Sequence, residues 1–309
     1  MNLKALSKIS HTPAGPCVLI VGANGQLGWE LQRTAPENLF VVALGSSDLD
    51  ITNEKQVNHV LTKFSPVLVI NAAAYTAVDK AEQQPKLAYA VNAEGVGFLA
   101  DACQKTDSKL IHISTDFVFD GSHHQPYIEN DVPNPLGVYG ASKLKGEELV
   151  MRKTLGKSLI IRTSWVYSIH GHNFVKTMLK LMSSKESLSI VCDQFGSPTW
   201  AKGLALAIWD LTKIQNFSGI YHWSDSGVIS WYDFAKAIQE KSLKIGLLER
   251  KINLQPIQAI EYPNSKIRPS YSALDCTSLR NVLSGRFHQW RHNLNLMLEE
   301  LSTECDLVG

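Results

Sequence analysis

The fold of this chain is decided by residues 17–28, "CVLIVGANGQLG". A short apolar run is followed at once by Gly22, Gly25 and Gly28, and a helical pattern begins at Gln26. This order suits a nucleotide pyrophosphate, because glycines let it approach backbone N–H groups at the positive end of a helix. A glycine-rich turn without a ligand is the less favoured alternative. We therefore predict a dinucleotide-binding loop at this position.

Further apolar runs follow the first one, and helical patterns separate them. These runs lie at residues 40–44, 67–72, 109–114 and 158–164. The helical pattern before the last run extends from about Val138 to Lys153. Strands that read as continuous apolar runs are typical of parallel sheets, because helices cover both faces of such a sheet. The first half of the chain therefore predicts a doubly wound α/β domain.

The alternation becomes less regular after Trp165. Helical patterns at residues 173–182 and 202–213, and from Trp231, mix with shorter strand patterns, irregular polar sequence and two final helical patterns. We expect a mobile extension at residues 1–16 and a nucleotide-binding domain at residues 17–165, to which later segments can return. Residues 166–309 are then mainly a smaller substrate-binding lobe.

Composition and charge narrow the class of protein. The 309 residues have a formal net charge of +1, which provides no basic field for nucleic acid. No apolar run reaches about 18 residues, and the opening segment lacks the apolar core of a signal peptide. The five cysteines are odd in number and widely spaced, unlike a disulfide framework or a zinc site. We expect a cytoplasmic protein that is not bound to a membrane and that binds a small molecule.

The end of the second predicted strand bears on the choice of cofactor. An acidic residue there would hydrogen-bond the adenosine ribose and favour NAD, but Gly45 occupies the position and Ser46 follows it. This favours NADPH weakly and leaves NADH open. Asp50 and Ile51 are a candidate adenine contact, and helix capping in the same region is an equal alternative.

Two Tyr-Lys pairs have the spacing of a catalytic pair, "YGASK" at Tyr139 and Lys143 and "YDFAK" at Tyr232 and Lys236. The spacing by itself decides nothing, because residues four apart are neighbours on any helix. Tyr139 follows a predicted strand that ends at Thr115, so both lie at the sheet edge where ligands bind. We predict that Tyr139, Lys143 and Thr115 are catalytic, and that Tyr232 is a core residue with Lys236 on the surface.

This triplet suits the reduction of a carbonyl. Hydride addition leaves an alkoxide that needs a proton, and an acid works best when its pKa is near the working pH. Free tyrosine has a pKa near 10, so a pKa of roughly 7 requires about 4 kcal/mol of preference for the phenolate. We expect the Lys143 ammonium to supply much of it and Thr115 to hold the carbonyl oxygen.

A series of motifs, in the order "GANGQLGWELQR", "NAAAYTAVDKAE", "STDFVFDG", "PLGVYGASKLKGE", "RTSWVY" and "DQFGSPT", resembles the dTDP-4-dehydrorhamnose reductases, which are extended short-chain dehydrogenases. The resemblance runs from Cys17 to about Leu301. It implies a Rossmann-type fold. It also implies reduction of the 4-keto group of dTDP-4-dehydro-β-L-rhamnose by NADPH or NADH, the last step in making dTDP-L-rhamnose for surface polysaccharide.

The resemblance also implies roles for individual residues. The implied catalytic residues are Thr115, Tyr139 and Lys143; the implied cofactor contacts are Gly22, Gly25, Gln26, Leu27, Gly28, Asp50, Ile51, Ala73, Ala74, Tyr75, Tyr139 and Lys143; and the implied substrate contacts are Thr115, Asp116, Trp165 and Arg268. For Trp165 a core aromatic role is the alternative. For Arg268, which would bind the nucleotide diphosphate, a structural salt bridge is an equal alternative.

The chain departs from the family pattern at several positions. Gly45 stands where the family often has Asp, and Phe117 where it often has Tyr. Some members bind Mg²⁺ at a dimer interface through three carboxylates; Glu30 and Glu300 match two of them, but Lys202 stands at the third. A cation repels Mg²⁺, so we predict no such metal site and leave a homodimer open.

Other residues are assigned structural roles at this stage. His112, His123 and His124 have no metal-ligand spacing and are placed on the surface or in loops. The apolar stripe at residues 290–301 is interpreted as packing. Two alternative functions remain: a reductase of another dTDP-linked 4-keto sugar, and a non-catalytic NADP-binding regulatory subunit similar to that of methionine adenosyltransferase.

Overall fold

The structure, a computed structural model, describes residues 15–214, 218–262, 268–283 and 287–306, with side chains described through residue 303. Most of the predicted extension at residues 1–16 lies outside the described residues. The strands are β1 (Cys17–Val21), β2 (Phe40–Leu44), β3 (Leu68–Asn71), β4 (Lys109–Thr115), β5 (Leu159–Thr163), β6 (Val166–Tyr167), β7 (Ser187–Val191), β8 (Phe195–Gly196), β9 (Thr199–Trp200), β10 (Gly219–Trp223), β11 (Ile229–Ser230) and β12 (Asn253–Ile257).

The helices follow the predicted pattern closely. They are α1 (Gln26–Arg33), α2 (Glu54–Phe64), α3 (Val78–Ala81), α4 (Pro85–Tyr89), α5 (Val96–Thr106), α6 (Val138–Lys153), α7 (Phe174–Ser184), α8 (Ala201–Leu211), α9 (Trp231–Lys244), α10 (Thr277–Val282) and α11 (Trp290–Asp306). A π-helical segment, Ala90–Gly95, joins α4 to α5 without a break. The sequence pattern indicated one uniform helix here and did not show this wider turn.

The central sheet in the described part of the chain has six strands in the order β10-β5-β4-β3-β1-β2. All of its neighbouring strands pair in parallel. On one face, α2, α5 and α6 pack against alternate residues such as Leu19 and Val21. On the other, α1, α8 and α10 cover Val18 and Ile20. The predicted doubly wound Rossmann-type fold is confirmed.

The second half of the chain contributes to both the sheet and a separate lobe. Helix α8 and strand β10 return to the sheet, where β10 pairs with β5. Helices α7, α9 and α11 form another core, which includes Trp290, Leu294 and Leu298 from the stripe interpreted as packing. Strand β12, which the sequence analysis read as irregular, pairs with β7. Its sequence "NLQPI" is polar and contains a proline, which is tolerated at the edge of a sheet.

Helix α6 is attached to the sheet by a buried ion pair. Arg162 on β5 donates from Nε to Glu147 Oε1 at 3.0 Å and from Nη2 to Oε2 at 2.7 Å. The two side chains are only 2% and 3% exposed. This bidentate geometry fixes the direction of the helix as well as its distance from the sheet.

Glu147→Ala should lower the free energy of unfolding by about 3–5 kcal/mol, because it leaves the Arg162 charge buried without its partner. Urea denaturation followed by circular dichroism measures the change. The control is Glu148→Ala on the same helix, where Glu148 pairs with Lys145 at 2.7 Å in exposed positions. That substitution should lower the free energy of unfolding by less than about 1 kcal/mol. Equal losses in the two variants would contradict the importance of the buried pair.

Candidate active site

The glycine loop is packed too closely for side chains at two of its glycines. Gly22 has a positive φ of 88°, and a Cβ placed on it would lie 2.5 Å from the Ala73 nitrogen. A Cβ on Gly28 would lie 2.1 Å from the Gly22 oxygen. Glycine is therefore required at both positions. The loop leads into α1, whose first hydrogen bond runs from Trp29 N to Gly25 O at 2.9 Å.

A cleft of about 320 Å³ opens beside this loop. Its lining includes the predicted cofactor residues Gly22, Gly25, Asp50, Ile51, Ala73, Ala74 and Tyr75. The volume is in the range of roughly 300–1,000 Å³ that is usual for ligand sites. The structure therefore brings seven separate predictions together at one edge of the sheet.

The side chains of Gln26 and Leu27 do not line this cleft. Gln26 donates to the Val166 oxygen at 3.3 Å and accepts from Asn173 at 2.9 Å, so it links the loop to the late part of the chain. Leu27 is buried in the core. The part of each residue that suits a pyrophosphate is its backbone N–H, because first-turn N–H groups have no partner within the helix.

Asn24 occupies the space beside Gly45. A Cβ on Gly45 would lie 2.3 Å from Asn24 Nδ2, so an acidic side chain there would displace the amide. Asp50 accepts hydrogen bonds from the Thr52 backbone and hydroxyl at 2.9 and 2.7 Å. The N-cap of α2 is Asn53, so Asp50 itself does not cap this helix.

Thr115 and Tyr139 meet at the end of β4. Burial raises the pKa of Tyr139 to about 12, and a hydrogen bond with the Thr115 hydroxyl opposes this rise. The expectation that Lys143 lowers the Tyr139 pKa to roughly 7 is wrong for this structure, because the cost of burying a phenolate outweighs the favourable interactions. Tyr139 is therefore a neutral phenol at neutral pH, which is the form that can donate a proton.

Lys143 is almost completely buried behind Tyr139. Its Nζ donates to the Ile113 oxygen at 2.6 Å and lies 3.4 Å from His112 Nε2. Burial lowers the pKa of Lys143 to about 8, and the Glu147 carboxylate opposes this fall. The placement of His112 on the surface or in a loop is wrong: its side chain is 0% exposed. Strand β4 is central and covered on both faces, so even a polar residue on it is buried.

Asp116 lies directly after Thr115 and is also buried. Burial raises its pKa to about 7, while hydrogen bonds with the Ser272 and Thr115 hydroxyls oppose the rise. Ser272 comes from the late part of the chain. The carboxyl group therefore lies where the sheet meets the lobe.

A second cleft, of about 350 Å³, lies between the sheet and the lobe and is lined by Phe117, Trp165, Arg268 and Ser272 among others. Trp165 stacks on Trp231 with ring centroids 3.4 Å apart, and its φ of +45° is rare for a large residue. Arg268 lies 2.8 Å from Asp79 in an ion pair. Each of these two residues lines the cleft and also makes a structural contact, and their contacts with a substrate stay predictions.

Asn92 and Ser142 are buried polar residues that support the predicted site, and the sequence prediction did not include them. Asn92, in the π-helical segment, accepts from Tyr75 N at 2.8 Å and donates to Ser142 Oγ at 3.0 Å. Ser142 in turn donates to the backbone carbonyl oxygen of Tyr139 at 2.8 Å. The signal was an asparagine inside the apolar pattern "AVNAEGVGFLA", since a buried amide requires partners.

Similarity to known proteins identifies the family of this chain. The family model for the RmlD substrate binding domain matches residues 17–303. A dTDP-4-dehydrorhamnose reductase of Aggregatibacter actinomycetemcomitans is 40% identical over 285 residues, covering 90% of this chain and 96% of the relative. The chain belongs to the dTDP-4-dehydrorhamnose reductase family.

Two further relatives of this reductase family extend the comparison. The spore coat polysaccharide biosynthesis protein SpsK of Bacillus subtilis is 42% identical and covers 94% of this chain and 99% of its own. A crystal structure of dTDP-4-dehydrorhamnose reductase from Bacillus anthracis, in complex with NADP, aligns with a TM-score of 0.86 at 39% identity. It covers 92% of this chain and 99% of its own.

The residues that match the predicted Mg²⁺ ligands of some family members lie beside cations in this chain. Lys202 Nζ lies 3.2 Å from Glu300, and Arg33 Nη1 lies 2.6 Å from Glu300. Arg33 also pairs with Glu30 at 2.6 Å. No group of acidic, histidine or cysteine residues suited to a metal ion occurs among the residues that the structure describes. In that same part of the chain, no helix is both long and apolar enough to span a membrane.

Gly28→Ala should weaken NADPH binding by roughly tenfold or more, because the added Cβ meets the Gly22 oxygen and forces the loop to move. Titration calorimetry measures the affinity. The control is Gly203→Ala in α8, where the nearest heavy atom to the new Cβ is Asn293 Nδ2 at 3.9 Å. NADPH affinity should be unchanged in that variant. An unchanged affinity in Gly28→Ala would contradict the assignment of the loop.

Proposed function

We propose that this protein reduces the 4-keto group of dTDP-4-dehydro-β-L-rhamnose to give dTDP-L-rhamnose, with NADPH as the preferred reductant. The observation that carries the proposal is the position of Thr115, Tyr139 and Lys143. Thr115 ends β4 at the carboxyl edge of the sheet, the edge that also carries the glycine loop and its cleft. On α6, Tyr139 meets the Thr115 hydroxyl, and Lys143 Nζ donates to the Ile113 oxygen. A protonated acid beside a cofactor cleft is the arrangement that carbonyl reduction requires.

The proposed roles follow from the protonation states. NADPH, when bound, supplies the hydride. Thr115 and Tyr139 orient the substrate carbonyl by hydrogen bonds to its oxygen, and Tyr139 then gives its proton to that oxygen. The raised pKa of Tyr139 keeps the phenol protonated until negative charge develops on the substrate. Lys143 lies one turn after Tyr139 on α6 and is the proposed contact of the nicotinamide ribose.

The second cleft is the proposed site of the nucleotide sugar. Trp165 and Phe117 line this cleft and are the proposed aromatic contacts of the sugar. Asp116 is a further proposed contact; it is buried beside Thr115, whose hydroxyl donates to it. Arg268 is the proposed ligand of the diphosphate, because a guanidinium binds phosphate oxygens in pairs. Its ion pair with Asp79 leaves it 21% exposed at the cleft.

The proposed compartment is the cytoplasm. The described cysteines, Cys17, Cys103, Cys192 and Cys276, are all free thiols, as is usual in a reducing compartment. A homodimer is a separate question, which light scattering during gel filtration answers directly.

The direct test is an absorbance assay with NADPH or NADH and dTDP-4-dehydro-L-rhamnose, generated in the cuvette by the dehydratase and epimerase that precede the reductase. Nicotinamide oxidation that requires the epimerase is the expected result. Oxidation without the epimerase would favour another dTDP-linked 4-keto sugar. Binding of NADPH without any turnover would favour a regulatory subunit. Comparing the two cofactors tests the effect of Gly45.

Tyr139→Phe should lower kcat by roughly 10²–10⁴-fold while NADPH still binds, because only the acid is lost. The matched control is Tyr232→Phe, which removes a hydroxyl that lies 3.5 Å from the Leu254 oxygen in the lobe. This control should keep its activity. A large loss in Tyr232→Phe with little loss in Tyr139→Phe would show that the wrong pair was chosen.

A further inference from the structure

A buried chain of polar groups lies behind the proposed catalytic lysine. His112 on β4 is paired in register with Asn71 on β3, and both side chains are 0% exposed. Asn71 Nδ2 lies 3.0 Å from His112 Nδ1, and His112 Nε2 lies 3.4 Å from Lys143 Nζ. Groups buried this deeply must satisfy one another, because water does not reach them.

The orientation of the Asn71 amide is fixed at its other end. Its Oδ1 accepts a hydrogen bond from the Ala73 backbone N–H at 3.1 Å. Turning the amide over would place its NH₂ against this N–H, with two donors facing each other. The Nδ2 group therefore points to His112 and donates to Nδ1.

This donor assigns the tautomer of the histidine. Burial and the neighbouring Lys143 lower the His112 pKa well below its ordinary value, so the ring is neutral and carries one proton. Nδ1 accepts from Asn71, so the proton is on Nε2. The N–H of Nε2 then points toward Lys143 Nζ.

A lysine ammonium cannot accept this N–H, because it offers donors only. The neutral amine can, since its nitrogen has a lone pair, and it can still donate to the Ile113 oxygen at 2.6 Å. The Asn71–His112 pair thus destabilises the charged form of Lys143 relative to the neutral form. If the histidine were instead protonated at Nδ1, its Nε2 would accept from the ammonium and stabilise the charged form of Lys143.

Other charged or titratable groups surround Lys143 on the neighbouring elements. Glu147, one turn later on α6, favours the ammonium, but its carboxylate is also bound by Arg162 on β5. Tyr139 is neutral at neutral pH. Asp116, after β4, acts on Tyr139. The His112 N–H therefore disfavours the charged form of Lys143, whereas Glu147 favours it.

We propose that His112 is a positioning residue for the reduction: oriented by Asn71, its Nε2–H faces Lys143 Nζ and favours loss of the ammonium proton. The proposal rests on the proposed catalytic role of Lys143. The neutral amine accepts the His112 N–H, so its formation leaves no donor unpaired. The Asn71–His112 pair thereby sets the upper pH at which Lys143 still carries its charge.

The tautomer can be observed without any activity measurement. In long-range ¹H–¹⁵N spectra of histidine-labelled protein, His112 should show a protonated Nε2 and an unprotonated Nδ1. Asn71→Asp should move the proton to Nδ1, because a carboxylate accepts and cannot donate. A wild-type ring protonated at Nδ1 would overturn the proposal.

The pH profile of kcat tests the consequence. His112→Gln places an amide whose oxygen can accept from the ammonium, so it should raise the Lys143 pKa. The alkaline fall in activity should then move up by about one pH unit, the size expected for a hydrogen bond to a charged group. His222→Gln is the matched control, since His222 is equally buried but bonds the Tyr127 oxygen at 3.0 Å.

The results separate this proposal from the assignment of the site. A shift in His112→Gln and none in His222→Gln is the expected outcome. No shift in either variant, or the same shift in both, would overturn the role of His112. Full activity in Lys143→Met would instead refute the assignment of Lys143, while the histidine spectra would still report the tautomer.

Discussion

The site depends first on the attachment of helix α6 to the sheet by buried cations. Arg162 on β5 forms an ion pair with Glu147 on the helix, and Lys143 on the helix donates a hydrogen bond to the Ile113 oxygen on β4. Both contacts lie on the inner face of the helix and are almost inaccessible to water. Because a buried charge is costly without its partner, the helix has little freedom to slide or rotate. Tyr139 is thereby held beside Thr115 at the end of β4.

The same burial determines the protonation states of Tyr139 and Lys143. A phenol and an amine near the cofactor cleft are both driven toward their neutral forms, so the Tyr139 pKa rises and the Lys143 pKa falls. A reductase needs a protonated acid at the moment when charge appears on the substrate oxygen. The buried environment keeps Tyr139 protonated, because it disfavours the phenolate until charge appears on the substrate oxygen. The charge of Lys143 is opposed in turn by the His112 N–H behind it.

The chain passes repeatedly between the sheet and the lobe, and side-chain contacts join the two parts. Gln26 in the glycine loop bonds Val166 and Asn173, and Arg268 pairs with Asp79. These contacts join residues that are far apart in sequence. They fix the glycine loop and the segment after β3 against later parts of the chain.

The sequence by itself determined the elements and the edge of the sheet at which ligands bind. Periodicity and glycine spacing are local properties, so the start of α1 at Gln26 and the bounds of α6 followed from them. The choice of Tyr139 over Tyr232 rested on the strand that ends at Thr115, and it stays a prediction. What only the tertiary structure decided was the environment of each side chain. His112 has no distinguishing spacing, and its burial depends on which strands lie beside β4. The pKa of Tyr139 likewise depends on the cost of burial, a property of the packed interior to which residues distant in sequence contribute.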